Sequence, residues 1–293
     1  MRNNDERLGA NVSIQDSVPP QLFNQMTQTS GNSVGQLAFV APTEFVYLPS
    51  KGKYYPEGHP LFNKETVEIR QMTAKEEDIL ANKSYIKKGV AIDKLVESLL
   101  VDKTIELDSL LIGDKNALII ASRITGFGPE YSVGLQCPDC GDKFENAFNL
   151  YDLLSKAEDE ERELPEGVEK TDRNTFKTTL PVTKWEVEFR ALTGKDEKDI
   201  ARILENRKKM NPSAEASVLD QIRAITVSIQ GISDRAAIAQ AINSIPARDS
   251  RYLRSVFQVC VPNVKFTQDV ACTSCGSQNK LEVPLTVEFF WPK

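Results

Sequence analysis

The run Val67-Glu68-Ile69-Arg70-Gln71-Met72-Thr73-Ala74-Lys75-Glu76-Glu77-Asp78-Ile79 recurs 120 positions later as Val187-Glu188-Phe189-Arg190-Ala191-Leu192-Thr193-Gly194-Lys195-Asp196-Glu197-Lys198-Asp199. In both, a short alternating strand leads into a Thr placed to cap a helix, with an acid three residues on that can bond back to the capping backbone N–H. Strand, cap and acidic first turn recurring in one order read as two copies of one unit. Further on, Asp114 stands 23 residues before Cys137 and Asp249 stands 23 before Cys272, with Leu118 matching Leu253. The offset grows from 120 to 135, which places fifteen extra residues inside the second copy. Segments 206–212 and 231–237 carry the polar and breaker residues expected of surface insertions. Upstream, Leu48-Pro49 has a counterpart in Leu180-Pro181, although the second hairpin is shorter and lacks the Pro49-Ser50-Lys51-Gly52-Lys53 turn.

Within the first copy, Phe45-Val46-Tyr47-Leu48 and Val67-Glu68-Ile69-Arg70 read as the arms of a hairpin. A helix follows the Thr73 cap. A second helix places Ile92, Leu95, Val96, Leu99 and Leu100 on one stripe, and a third, starting near Asp114 as its N-cap, turns Leu118, Ala121 and Ile124 inward. The expected class is α+β: two tandem repeats, each a β-hairpin plus a small helical bundle ending in a Cys-x-x-Cys knuckle on a short β-hairpin, related by a pseudo-two-fold rotation. The expected divisions are a flexible N-terminal arm over 1–42, repeat 1 over 43–154, an acidic linker over 155–177 and repeat 2 over 178–293. The arm is rich in Asn, Gln, Ser and Thr and lacks periodicity. The linker holds Glu158-Asp159-Glu160-Glu161-Arg162-Glu163, then Pro165 and Gly167, with little apolar material to desolvate a catalytic acid, so it reads as solvated.

Each copy ends in a knuckle: Cys137-Pro138-Asp139-Cys140-Gly141 and Cys272-Thr273-Ser274-Cys275-Gly276. Two intervening residues let both sulfurs face one ion, and the Gly that follows permits the tight turn. One knuckle supplies two ligands, so a closed tetrahedral site needs both, giving one structural zinc on Cys137, Cys140, Cys272 and Cys275. Unmetallated turns or two local thiol pairs are the competing readings. Thioredoxin-type chemistry fits poorly, because a strand-like run rather than a helix follows the second cysteine. The fifth cysteine, Cys260, shares a stripe with Leu253, Val256 and Phe257 and reads as core filling. His59, the single histidine, sits in a Gly58-His59-Pro60 turn and reads as a surface residue rather than a ligand. With one histidine, no His-Glu-x-x-His zinc site and no two-histidine relay can form, and the sequence holds no glycine-rich phosphate loop or dinucleotide fingerprint.

Composition narrows the partners. The 293 residues carry 36 basic and 42 acidic side chains, a net charge of −6, so the overall field disfavours nucleic acid and anionic membrane and favours protein partners. No stretch approaches the roughly 20 apolar residues of a bilayer span, and Met1 to Arg7 have no apolar segment behind them to serve as a signal. The chain is therefore expected to stay in the cytoplasm where it is made, a reducing compartment in which paired cysteines act as thiolates. A zinc-ribbon nucleic-acid binder would need a basic face at the knuckles; Asp139, Asp142, Lys143, Glu145, Lys280 and Glu282 give a mixed one.

The segment Val46-Tyr47-Leu48-Pro49-Ser50-Lys51-Gly52, the strand ending at Arg70, Met72-Thr73-Ala74-Lys75-Glu76-Glu77, Gly113-Asp114-Lys115-Asn116-Ala117-Leu118, Gly128-Pro129-Glu130-Tyr131 and the first knuckle together resemble the baseplate proteins of T-even-type contractile-tailed phages. The resemblance covers about residues 43–150, and more faintly 178–289 through the repeat. Members of that family are often shorter and single-copy, so the duplication is a departure. The resemblance implies a non-catalytic virion tail component, hub or wedge, that binds other baseplate and tail proteins in several copies, or else an assembly chaperone absent from the finished particle.

Overall fold

A computed structural model describes residues 41–158, 164–211, 213, 217–283 and 287–290. Almost all of the arm expected over 1–42, and the acidic run 159–163, lie outside them.

β1 (Thr43–Tyr47) and β2 (Thr66–Arg70) pair antiparallel with Val46 opposite Val67. α1 (Ala74–Ala81) starts from the expected capping box of Thr73 and Glu76. The Asn82 side chain then accepts from the N–H groups of Ser84 and Tyr85 to open the short α2 (Lys83–Lys87). α3 (Ala91–Leu99) buries Leu95, Val96 and Leu99, as its periodicity requires, and Leu100 forms a bridge to Ile69 at its end.

α4 (Ile112–Phe127) runs through the first core with Leu118, Ala121 and Ile124 buried. It begins earlier than expected, with Leu111 in the capping position, so Asp114 is not the N-cap. Asp114 is instead fully buried, and its carboxylate accepts from the Ser50 N–H at 2.9 Å, the Ser50 hydroxyl at 2.6 Å and the Tyr55 hydroxyl at 2.7 Å. The buried turn after β1 presents three donors that nothing local satisfies, and they outbid the helix's own N–H groups for the acid.

β3 (Glu130–Gln136) and β4 (Lys143–Asn149) form the first knuckle hairpin, and α5 (Tyr151–Glu158) follows. β5 (Val168–Lys170), β6 (Phe176–Thr179), β7 (Glu186–Phe189) and β8 (Thr226–Ile229) then build an antiparallel sheet in that order. Here the structure departs from the solvated stretch expected over 155–177: Val168 and Phe176 are buried in the second core. They are isolated apolar residues among polar neighbours, and only strand pairing brings them to one face.

α6 (Gly194–Met210) has its own capping box from Thr193 and Asp196. α7 (Val218–Ile225) precedes β8, and α8 (Arg235–Asn243) and α9 (Ala247–Cys260) lead to the second knuckle hairpin, β9 (Thr267–Ala271) and β10 (Gln278–Glu282). Of the segments expected as insertions, 206–212 falls at the end of α6, which has 17 residues against 8 in α1, and 231–237 at the start of α8.

Contacts in the two halves run in parallel. Arg70 pairs with Glu76 at 2.7 Å, and Arg190 with Asp196 at 2.7 Å. Leu48 N–H donates to the Glu65 carbonyl at 2.8 Å, and Leu180 N–H to that of Trp185 at 2.9 Å. Asp249 accepts from the backbone of Val182 at 2.7 Å and Thr183 at 2.9 Å, in the turn that corresponds to Ser50.

The described residues form one compact unit around two hydrophobic clusters. The second cluster lies between the β5–β8 sheet and α7, α8 and α9. The first takes in β1, β2, α1, α3, α4 and the first knuckle, and also Val264, Val270, Cys272, Val283, Phe289 and Phe290 from the far end of the chain. The second knuckle thus packs on the first core. Buried Arg123 secures that end of the chain, donating to the carbonyls of Phe289 at 2.6 Å, Gly128 at 2.7 Å and Glu130 at 3.2 Å. At the seam Ile112 N–H donates to Leu192 and Gly194 N–H to Leu110. A Cβ on Gly113 would lie 2.1 Å from the Pro262 carbonyl oxygen, so α4 can approach this segment only with glycine there.

Candidate metal centre

The two knuckles are built alike from the backbone upward. Cys137 N–H donates to the Asp142 carbonyl and Gly141 N–H to that of Cys137, each at 2.9 Å; Cys272 N–H donates to Ser277 and Gly276 N–H to Cys272, again at 2.9 Å. Gly141 and Gly276 take φ of 78° and 74°, the left-handed region in which a side chain is strained. Each turn presents its two sulfurs on the same side of its hairpin.

Packing the second hairpin on the first core brings the turns together. All four sulfurs of Cys137, Cys140, Cys272 and Cys275 lie within 4.8 Å of one another. Two pairs cross between knuckles at 3.8 Å each, Cys137 to Cys275 and Cys140 to Cys272. Sulfurs bound tetrahedrally at about 2.3 Å from one ion stand about 3.8 Å apart, so the four fit a tetrathiolate site, and no disulfide joins any of them. Cys137 and Cys272 are buried and Cys140 and Cys275 exposed, which leaves one side of the cluster open to solvent.

Polar neighbours divide the charge unevenly. The Ser277 hydroxyl lies 3.1 Å from the Cys275 sulfur and 3.5 Å from that of Cys137. It holds the Cys137 thiol down to about 6, with help from the backbone N–H groups of Cys140 and Asp139, and lowers Cys275 as well. For Cys140 the Asp142 N–H favours the thiolate, but burial and the three neighbouring sulfurs outweigh it and push the thiol up to about 12. A dication at the centre is the group that would let all four ionise together.

The four residues expected as ligands are therefore brought to one place, and Cys260, expected as core, is buried in the second cluster. His59 departs from its expectation as a surface residue. It is half-buried, stacks on Tyr55 with ring centroids 4.3 Å apart, accepts from Leu61 N–H at Nδ1 and donates from Nε2 to Ser109. Among the described residues no other His, Cys, Asp or Glu group converges in this way. Sequence reasoning missed the shell around the sulfurs: Ser277, Asn279 and Asp139. Its one visible sign was a hydroxyl directly after Cys275-Gly276 where the first knuckle has the carboxylate of Asp142.

A second charged cluster lies in a cleft of about 540 Å³ between α3 and α6. Lys115 pairs with Asp93 and Glu197 at 2.7 Å each, and Lys198 with Asp93 at 3.1 Å and with Asp108. These pairings, two lysines among three carboxylates, join α3 and α4 to α6.

Residues 41–171 match the family described as T4 bacteriophage base plate protein. Over that span, a little under half of the chain, the sequence is similar to T4-type base plate proteins. The match takes in β1 to β5, hence the first hairpin, α4 and the first knuckle, and stops before the second half. No curated protein and no solved structure matches the chain. Among the described residues no helix is long and apolar enough to cross a membrane.

Proposed function

We propose that this chain is a non-catalytic building block of a phage tail baseplate, in which one structural zinc on Cys137, Cys140, Cys272 and Cys275 locks two copies of an α/β unit into a single block. The observation that carries the reading is the convergence of two knuckles, 135 residues apart, on one point in a chain whose residues 41–171 match the base plate family. Duplication is supported by the paired capping boxes, the paired Arg to acid bridges and the matched roles of Asp114 and Asp249. The copies span 43–154 and 178–293, and an approximate two-fold relation would put both knuckles at its axis. Four thiolates fill a tetrahedral zinc, so the ion contributes folding energy and domain orientation rather than a reactive water.

In this reading the block and the arm over 1–42 bind neighbouring tail proteins, and several copies enter a symmetric baseplate. An assembly chaperone of the same fold would act on the baseplate without staying in it. Quantitative mass spectrometry of purified particles separates the two: the chain should be present in a fixed ratio to other tail proteins. Presence in infected-cell extracts with absence from particles would overturn the building-block reading in favour of the chaperone.

A further inference from the structure

Although the two knuckles share a backbone, the groups around their sulfurs differ. After Cys275-Gly276 come Ser277 and, two residues on, Asn279; the corresponding positions after Cys140-Gly141 hold Asp142 and Phe144, neither of which has a proton to give a sulfur. Asn279 Nδ2 lies 3.0 Å from Asp139 Oδ2 in the opposite knuckle, a contact that only the NH2 end of the amide can make with a carboxylate. The same Nδ2 lies 3.0 Å from Ser277 Oγ, so the serine oxygen accepts there. Its own proton faces the sulfurs of Cys275 at 3.1 Å and Cys137 at 3.5 Å, one from each knuckle, and also the Asp139 carboxylate, which Ser277 reaches as well.

We infer that Ser277, oriented by Asn279, is the positioning residue of the metal centre: its hydroxyl stabilises one thiolate of each knuckle and holds the pair in the geometry that closes the site. The inference rests on the tetrathiolate reading above. Groups that hydrogen-bond to metal ligands fix their orientation and tune the electron density they offer, and losing one weakens metal affinity roughly 10- to 100-fold. A relay from Asp139 through Asn279 and Ser277 to both sulfurs also makes each knuckle's alignment depend on the other. Cys140 and Cys272, the other cross-pair, lack this hydroxyl, so the effect is confined to one edge of the site.

The test uses the full chain loaded with zinc or, as a spectroscopic stand-in, cobalt(II). Ser277→Ala should lose roughly 10- to 100-fold in zinc affinity by chelator competition. Its sulfur-to-cobalt charge-transfer band should move to lower energy, because a sulfur relieved of a hydrogen bond gives up its electrons more readily. Ser277→Thr, which keeps the hydroxyl, should restore both. Asn279→Leu, which releases Ser277 and also removes the amide's own contact with the Cys137 sulfur at 3.9 Å, should show a loss of the same sign, and unchanged affinity there would overturn the inference if Ser277→Ala does not fold. Full metal uptake by Ser277→Ala with unchanged affinity and band would overturn this inference and leave the metal reading standing. A wild-type chain that binds neither ion would overturn both.

Discussion

Glu76 combines three jobs in one buried carboxylate. It closes the capping box by accepting from Thr73 N–H at 3.0 Å, and it also accepts from the Thr73 hydroxyl at 2.6 Å, Ser98 at 2.7 Å and Arg70 at 2.7 Å. Helix α1, the end of β2 and the end of α3 therefore meet on one side chain. Burial alone would raise its pKa, but the hydrogen bonds from Thr73, Ser98 and Arg70 outweigh it and hold the carboxyl at about 2. An unfolded Glu titrates near about 4.3, so the folded pKa is the depressed one, and this stabilisation is complete above that value and is lost as pH falls toward about 2. Allowing for screening by nearby water, Glu76→Gln should cost about 2 kcal/mol at pH 7. The gap between the two chains in urea denaturation should shrink by about half at pH 3. A gap that stays constant from pH 7 to 3 would show that Glu76 acts through shape and not through its charge.

At the scale of elements, the fastening of each hairpin to a distant helix is the feature with the largest expected cost. Asp114→Ala leaves two hydroxyls and one N–H without an acceptor inside the protein, at about 1–3 kcal/mol for each buried group, so a loss of at least about 3 kcal/mol is expected in chemical denaturation. Asp249→Ala strands two N–H groups and should cost less, about 2 kcal/mol. Equal and negligible losses at both positions would refute the fastening role. This feature also marks how far the sequence could be read. The 23-residue spacing of each Asp from its knuckle was visible, but a capping role was the natural reading, because the turn that claims Asp114 lies 64 residues away. The stripe of α3 and both capping boxes were legible because they depend on neighbours within a turn or two of helix. β5 and the start of β6 were not, since Val168 and Phe176 gain their burial from strands paired across the sheet. His59 likewise owes its place to Tyr55 and Ser109, the second of them 50 residues away.

For the whole molecule, the decisive event is the docking of the second knuckle on the first core. The spacing within each Cys-x-x-Cys made two half-sites legible, and the need for four ligands suggested that they meet. The path by which they meet was not legible: it runs through Phe289 and Phe290 in the first cluster, the carbonyls that Arg123 gathers, and the close approach of Gly113 to Pro262. The base plate match likewise covers the first knuckle and not the second, so the chain's own packing, rather than the matched span, completes the site. The most direct test of this arrangement is X-ray absorption at the zinc edge of the purified full-length chain, with its zinc content measured alongside. The expected result is one zinc per chain surrounded by four sulfurs at about 2.3 Å, lost in Cys272→Ser even though the first knuckle is untouched. Zinc retained in full by Cys272→Ser, or a shell dominated by nitrogen and oxygen, would contradict a single site shared by the two knuckles.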